Sequence, residues 1–183
     1  MKYYMPVKVY DENECVKNHA KEIASFGKKA LIVTGKKSAF ANGSFDDLEN
    51  ALKEEGRGYE VFSDVEENPS VETIFSARDR FLDAKIDFVI GIGGGSPMDA
   101  AKAIALALKH PEADPEYLYD ASKDGSALPL VCIPTTCGTG SEVTGVSVLT
   151  RHDIFLCLTF SLSITPSKSI YVAANGKNLS SYG

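Results

Sequence analysis

Three consecutive glycines, Gly93, Gly94 and Gly95, follow the apolar run at residues 88–92 and lead into Ser96, Pro97 and an alanine-rich stretch. Glycines let the main chain approach a ligand closely and take dihedrals that other residues avoid. Ser96 is of a type that caps helices, and Pro97 suits a first helical position, where its missing N–H costs nothing. The free N–H groups and positive end of such a helix attract an anion, so a phosphate or pyrophosphate is the expected guest. A tight strand-to-helix turn without a ligand is the alternative for a lone triplet. The place of these glycines directly after a buried strand favours the anion.

The familiar phosphate frames do not fit. Counting from Gly91, the sixth position of a GxGxxG pattern is Ser96, and no glycine-lysine-hydroxyl sequence completes a triphosphate loop. A second cluster, IPTTCGTGSEVT at residues 133–144, also follows a short apolar run. It offers hydroxyls on Thr135, Thr136, Thr139 and Ser141, with Gly138 and Gly140 permitting close approach. Alone, such a cluster is commonly a polar surface loop.

The elements that must position these loops alternate along the chain. Continuous apolar runs at 29–34, 59–62, 86–92 and 128–134 read as short strands buried in a sheet. Between them, residues 14–26, 44–55, 69–85 and 97–108 carry helical periodicity with start and stop residues at their ends. Strand alternating with helix predicts an α/β fold, a doubly wound, mainly parallel, Rossmann-like sheet. Ligands of such sheets lie beyond the carboxyl ends of the strands, where both clusters fall.

Composition narrows the function classes. The 183 residues carry a net charge of −6, which argues against nucleic-acid or anionic-membrane partners. No apolar run reaches the length of a membrane-spanning helix, and MKYYMPVKVY lacks the apolar centre of a signal peptide. Four scattered cysteines, with no CxxC pair, read as free thiols, so a cytoplasmic location is expected.

Together, GGGSPMDAAK and PTTCGTGSEVT, with the Glu67-Asn68-Pro69 step upstream, resemble the iron-containing (metal-dependent) alcohol dehydrogenase family. The look is that of its NADP-linked butanol and 1,3-propanediol dehydrogenases, over roughly residues 3–150. The resemblance implies an oxidoreductase that moves hydride between a small alcohol or aldehyde and a nicotinamide dinucleotide. Gly93, Gly94, Gly95 and Ser96 would hold the pyrophosphate. Asp99 would brace that loop or approach the nicotinamide ribose. Thr135 and Thr136 would line the adenine and ribose side, and Thr139, Gly140 and Ser141 the nicotinamide side; Asn68 and Pro69 complete the implied cofactor set. Lys102 reads as a solvated helix residue, and Cys137 as a small buried filler.

Cofactor choice is read at the end of the first long strand. Family members preferring NAD often carry Asp where this chain has Gly35, and a carboxylate there repels a 2′-phosphate. Gly35, Lys36 and Ser38, with Lys37 between them, favour NADP, with NAD the alternative.

The tail differs from the rest. All 25 acidic residues precede position 154, and residues 154–183 carry none. Residues 1–153 therefore read as the NAD(P)-binding domain and 154–183 as an atypical tail, a strand followed by a poorly ordered end, of the kind an altered reading frame ending early would give. The family's metal, held by one Asp and three His on a helical second domain, is not expected here, because that domain is missing from the expectation and His19, His110 and His152 read as separate surface residues. The reading is thus a cofactor-binding domain inactive by itself, with a nucleotide-binding module or half of a split enzyme as the alternative. Self-association through a face left apolar is a further expectation.

Overall fold

A computed structural model describes residues 7–152, 156–161 and 169–172. Its centre is a six-stranded sheet of β1 (Lys8–Tyr10), β2 (Lys29–Gly35), β3 (Gly58–Val65), β4 (Phe88–Gly93), β5 (Leu130–Pro134) and β8 (Ser169–Val172). The spatial order is β1-β8-β5-β4-β2-β3, and every neighbouring pair is parallel. The α/β, Rossmann-like parallel sheet read from the sequence is the fold of the chain.

The continuous apolar runs are explained by burial on both faces. Along β2, Leu31 and Val33 enter one core and Ala30 and Ile32 the other. The same alternation along β4 gives Val89 to the first core and Phe88, Ile90 and Ile92 to the second. The first core is covered by α5 (Val71–Phe81) and α6 (Gly95–Lys109), the second by α1 (Cys15–Asn18), α2 (Ala20–Ala24), α3 (Ser38–Ala41) and α4 (Ser44–Glu54).

This division fixes the crevice. The chain leaves β2 toward α3 and α4 on one face, and leaves β4 toward α6 on the other. β2 and β4 are direct neighbours, so the loops at their carboxyl ends part to opposite sides. In open parallel sheets such a divergence is where ligands sit.

Several boundaries depart from expectation. The helix read over residues 14–26 is two short helices, because His19, at φ −107° and ψ 16°, leaves helical geometry. α6 begins at Gly95, two residues before Pro97, with Gly94 at its cap position. Ser96 is therefore inside the first turn and does not cap it.

Beyond β5, β6 (Val146–Arg151) and β7 (Leu156–Ser161) form a separate antiparallel pair. β7 lies within residues 154–183. β8 then enters the central sheet between β1 and β5, a strand that sequence pattern did not suggest. The expected poorly ordered end at 173–183 lies outside the described residues.

Candidate functional site

Four carboxyl ends stand side by side, in the order β3, β2, β4, β5. Gly35 of β2 pairs with Val65 of β3, Thr34 with Ile92 of β4, and Gly93 with Pro134 of β5. Each residue singled out for the dinucleotide follows one of these strands. Gly35, Lys36 and Ser38 follow or end β2; Asn68 and Pro69 follow β3; Gly93 ends β4, and Gly94 to Ser96 and Asp99 follow it; Thr135 to Ser141 follow β5.

The glycine loop is shaped by its neighbours. Gly93 has φ +143°, where side chains are rarely tolerated, and a Cβ there would fall 2.8 Å from Pro97 Cγ. Gly94 and Gly95 are instead close to the second loop. A Cβ on Gly94 would meet Thr136 Oγ1 at 3.3 Å, and one on Gly95 would meet Thr139 Cγ2 at 3.3 Å. The Thr135 amide also donates to Gly93 O at 2.8 Å. The two motifs, some forty residues apart in the chain, thus form one surface. No side chain caps the N-terminus of α6, and its first turn holds no acidic residue. That end offers main-chain donors and a positive dipole to an anion.

The Asn68-Pro69 turn is tied to the same surface. Asn68 takes a left-handed conformation at φ 53°, which asparagine tolerates. Its amide donates to Ser96 Oγ at 3.3 Å, so the hydroxyl expected to cap α6 serves this turn instead. Thr150 closes the turn from β6, its amide donating to Pro69 O at 2.9 Å and its hydroxyl to Asn68 O at 3.1 Å. Glu66 anchors the turn from upstream, accepting from the Ser70 amide and the Thr73 hydroxyl. Partial burial works to raise the Glu66 carboxyl, but these donors outweigh it and hold the group below the ordinary carboxylate value.

Asp99 is 9% exposed and Lys102 only 1%. The solvated Lys102 of the sequence reading is corrected by this burial. Its ammonium donates to Asp99 Oδ1 at 3.1 Å, Ser141 Oγ at 2.7 Å and Val146 O at 2.5 Å. Ser141 Oγ donates to the same Asp99 oxygen at 2.5 Å, and the Val148 amide donates to the other at 3.1 Å. Asp99 therefore braces the loop after β5. A signal for Lys102 was present: α6 is otherwise Ala, Ile, Leu and Met almost all round, so a lysine within it has no solvated face to occupy.

Other expectations need amendment. Cys137 is exposed on the second loop, not a buried filler. Cys132, behind the site on β5, is the buried thiol, and desolvation pushes its pKa up to about 12. His110 is largely covered, with its Nε2 3.0 Å from Ser126 O. Lys36, Lys37 and Ser38 are exposed at the mouth beside Gly35.

The three histidines lie on separate parts of the fold. His110 follows the last turn of α6, at the far end of the helix from the glycine loop, His152 follows β6 beside Glu72, and His19 stacks on Tyr10. Glu12, Cys15 and His19 do bring ligand atoms within 4.8 Å of one another. Their polar atoms are already engaged there, His19 with Glu12 and the Cys15 thiol with Tyr10 O. Among the described residues, no helix is long and apolar enough to cross a membrane.

A parallel sheet with two glycine- and threonine-rich loops meeting at its carboxyl edge defines an α/β protein of Rossmann-like type. Residues 6–171 match the model of the iron-containing alcohol dehydrogenases, and the chain belongs to that family. It is 39% identical over 133 residues to an NADPH-dependent butanol dehydrogenase of Clostridium saccharobutylicum, covering 69% of this chain and 33% of that protein. An NADH-dependent butanol dehydrogenase A of Clostridium acetobutylicum is 32% identical over 151 residues, 82% of this chain and 39% of that protein. The crystal structure of an iron-containing alcohol dehydrogenase from Thermotoga maritima superposes with a TM-score of 0.87 at 43% identity, over 93% of this chain and 47% of that one. The chain therefore spans a third to two-fifths of these curated relatives and about half of the solved structure.

Proposed function

We propose that this chain binds a nicotinamide dinucleotide across the carboxyl edge of its sheet, as the cofactor-binding part of an alcohol dehydrogenase. The observation that carries the reading is the contact of Gly94 and Gly95 with Thr136 and Thr139, which makes one cradle of two distant motifs. Its pyrophosphate would lie on Gly93, Gly94, Gly95 and Ser96. The adenine side would follow Thr135 and Thr136, and the nicotinamide side Thr139, Gly140 and Ser141. Gly35, Lys36 and Ser38 favour NADP, since a 2′-phosphate would find the cations of Lys36 and Lys37 and no carboxylate at position 35.

The substrate class of the whole protein would be a small alcohol or aldehyde. The scattered histidines favour a part for the described residues in holding cofactor and none in activating the alcohol. Titration of the purified chain with NADPH, followed by nicotinamide fluorescence, tests the reading. Saturable binding that ADP displaces is the expected result. No saturable signal with NADPH or NADH would overturn it.

A further inference from the structure

We propose that Lys102 is a positioning residue of the dinucleotide site, holding the turn at Ser141–Val143 against the helix that carries the glycine loop. The inference rests on the dinucleotide reading of that same site.

The ammonium of a lysine has three donors, and here all three are used, on Asp99, Ser141 and Val146. The three acceptors belong to three elements: α6 itself, the turn after β5, and β6. Ser147 adds a fourth tie, its hydroxyl donating to Asp99 O at 2.8 Å. The network is closed and buried.

Stability alone is a poor account of it. A buried ion pair loses much of its attraction to desolvation, and apolar residues of similar volume often hold a fold as well. The residues that share the face of Lys102 on α6, one turn before and after it, are Met98, Ala105 and Leu106 beside Asp99, all buried, so an apolar side chain would suit the packing. A fully satisfied polar network instead specifies one arrangement of the parts it joins.

The part specified is the second cofactor loop. Ser141 stands two residues from Thr139, whose side chain lies against Gly95. The Ser141 amide donates to Thr139 Oγ1 at 3.4 Å, carrying the constraint into the loop. Releasing Ser141 frees the nicotinamide side of the cradle. The pyrophosphate loop keeps its own supports, Pro97 behind Gly93 and the Thr135 amide on Gly93 O. A ligand that spans both sides should therefore suffer, and one confined to the adenosine diphosphate side should not.

Lys102→Met is the direct variant. It leaves the Asp99 carboxylate buried without its cation, so the double variant Asp99→Asn/Lys102→Met, which removes both charges, is measured beside it. In each folded variant NADPH affinity should fall about tenfold while ADP affinity stays within about twofold of the parent. Amide exchange should accelerate at residues 139–143 and stay unchanged in β4. Equal weakening of NADPH and ADP, or no change in either, would overturn the assignment. Failure of the unaltered chain to bind NADPH would strike the dinucleotide reading instead. Exchange at 139–143 would then still decide whether Lys102 holds the turn.

Discussion

Gly94 and Thr136 lie so close that a Cβ on the glycine would stand 3.3 Å from the threonine hydroxyl. Gly94 itself has φ −79° and ψ −163°, a conformation open to any residue. A side chain at this position is therefore disfavoured by crowding against the neighbouring loop and not by backbone strain.

Gly94→Val follows from that separation. The branched side chain can keep the backbone but must push Thr136 away or fill the cradle. NADPH affinity should drop at least about tenfold, with the far-ultraviolet circular dichroism unchanged. Calorimetric titration of the variant measures it. Affinity equal to the parent's would remove the pyrophosphate from this loop.

Gly35→Asp tests cofactor choice. A Cβ there would be 3.6 Å from Val65 O, an ordinary contact, so the substitution should fit the sheet. The new carboxylate would face a 2′-phosphate and oppose it, while suiting a 2′-hydroxyl. The parent should bind NADPH more tightly than NADH, by a margin that shrinks as salt rises. The variant should reverse the order. Equal binding of the two by the parent, at low and high salt alike, would count against the Lys36 and Ser38 pocket.

The thiols give a third prediction. Cys137 is exposed on the cofactor loop, whereas Cys132 and Cys15 are buried and desolvation holds Cys132 protonated to about pH 12. Since the thiolate is the reacting form, iodoacetamide at about pH 8 should label Cys137 and spare Cys132 and Cys15 until denaturant is added. NADPH should slow labelling of Cys137. Peptide mapping reads each site, and a Cys137 rate indifferent to saturating NADPH would place the cofactor elsewhere.

Much of this was legible in residue order because the governing forces are local or nearly so. A strand buried on both faces must be continuously apolar, and 30–33, 88–92 and 130–134 are. Glycine triplets after such strands announce a close approach, and the hydroxyl cluster at 135–141 announces what approaches. Lys102 reads as exposed because charge is an exposed property on average; the apolar residues around α6 signal its burial, but its partners Ser141 and Val146 are brought near only by the fold. Ser96 was misread as a cap for a related reason. Its hydroxyl is claimed by Asn68, twenty-eight residues earlier, and a competitor at that range leaves no mark in local sequence. β8 belongs to the same class, since its partners β1 and β5 are set by sheet order and not by its own residues.

Acid should loosen the site through Glu66. Its carboxyl is held below the ordinary 4.5 because the ionised form accepts from the Thr73 hydroxyl and the Ser70 amide, against the opposing pull of partial burial. A group whose folded value is depressed stabilises fully above its unfolded value and loses that stabilisation as pH falls through the folded one. The contribution of Glu66 is therefore whole near neutrality and wanes below 4.5. Other carboxylates here are depressed as well, Glu22 and Glu49 among them, so the parent's acid profile alone cannot isolate Glu66. Comparison with Glu66→Gln can, because glutamine keeps an acceptor but not the charge. Urea unfolding should show the parent more stable than the variant by a constant margin from neutrality down to the ordinary carboxylate range, and by a shrinking one below it. Because the Glu66 turn carries Asn68 and Pro69, NADPH affinity should weaken over the same acid interval in the parent and less so in the variant. A margin that grows as pH falls would mean that the unfolded chain, and not the folded one, binds the Glu66 proton more weakly.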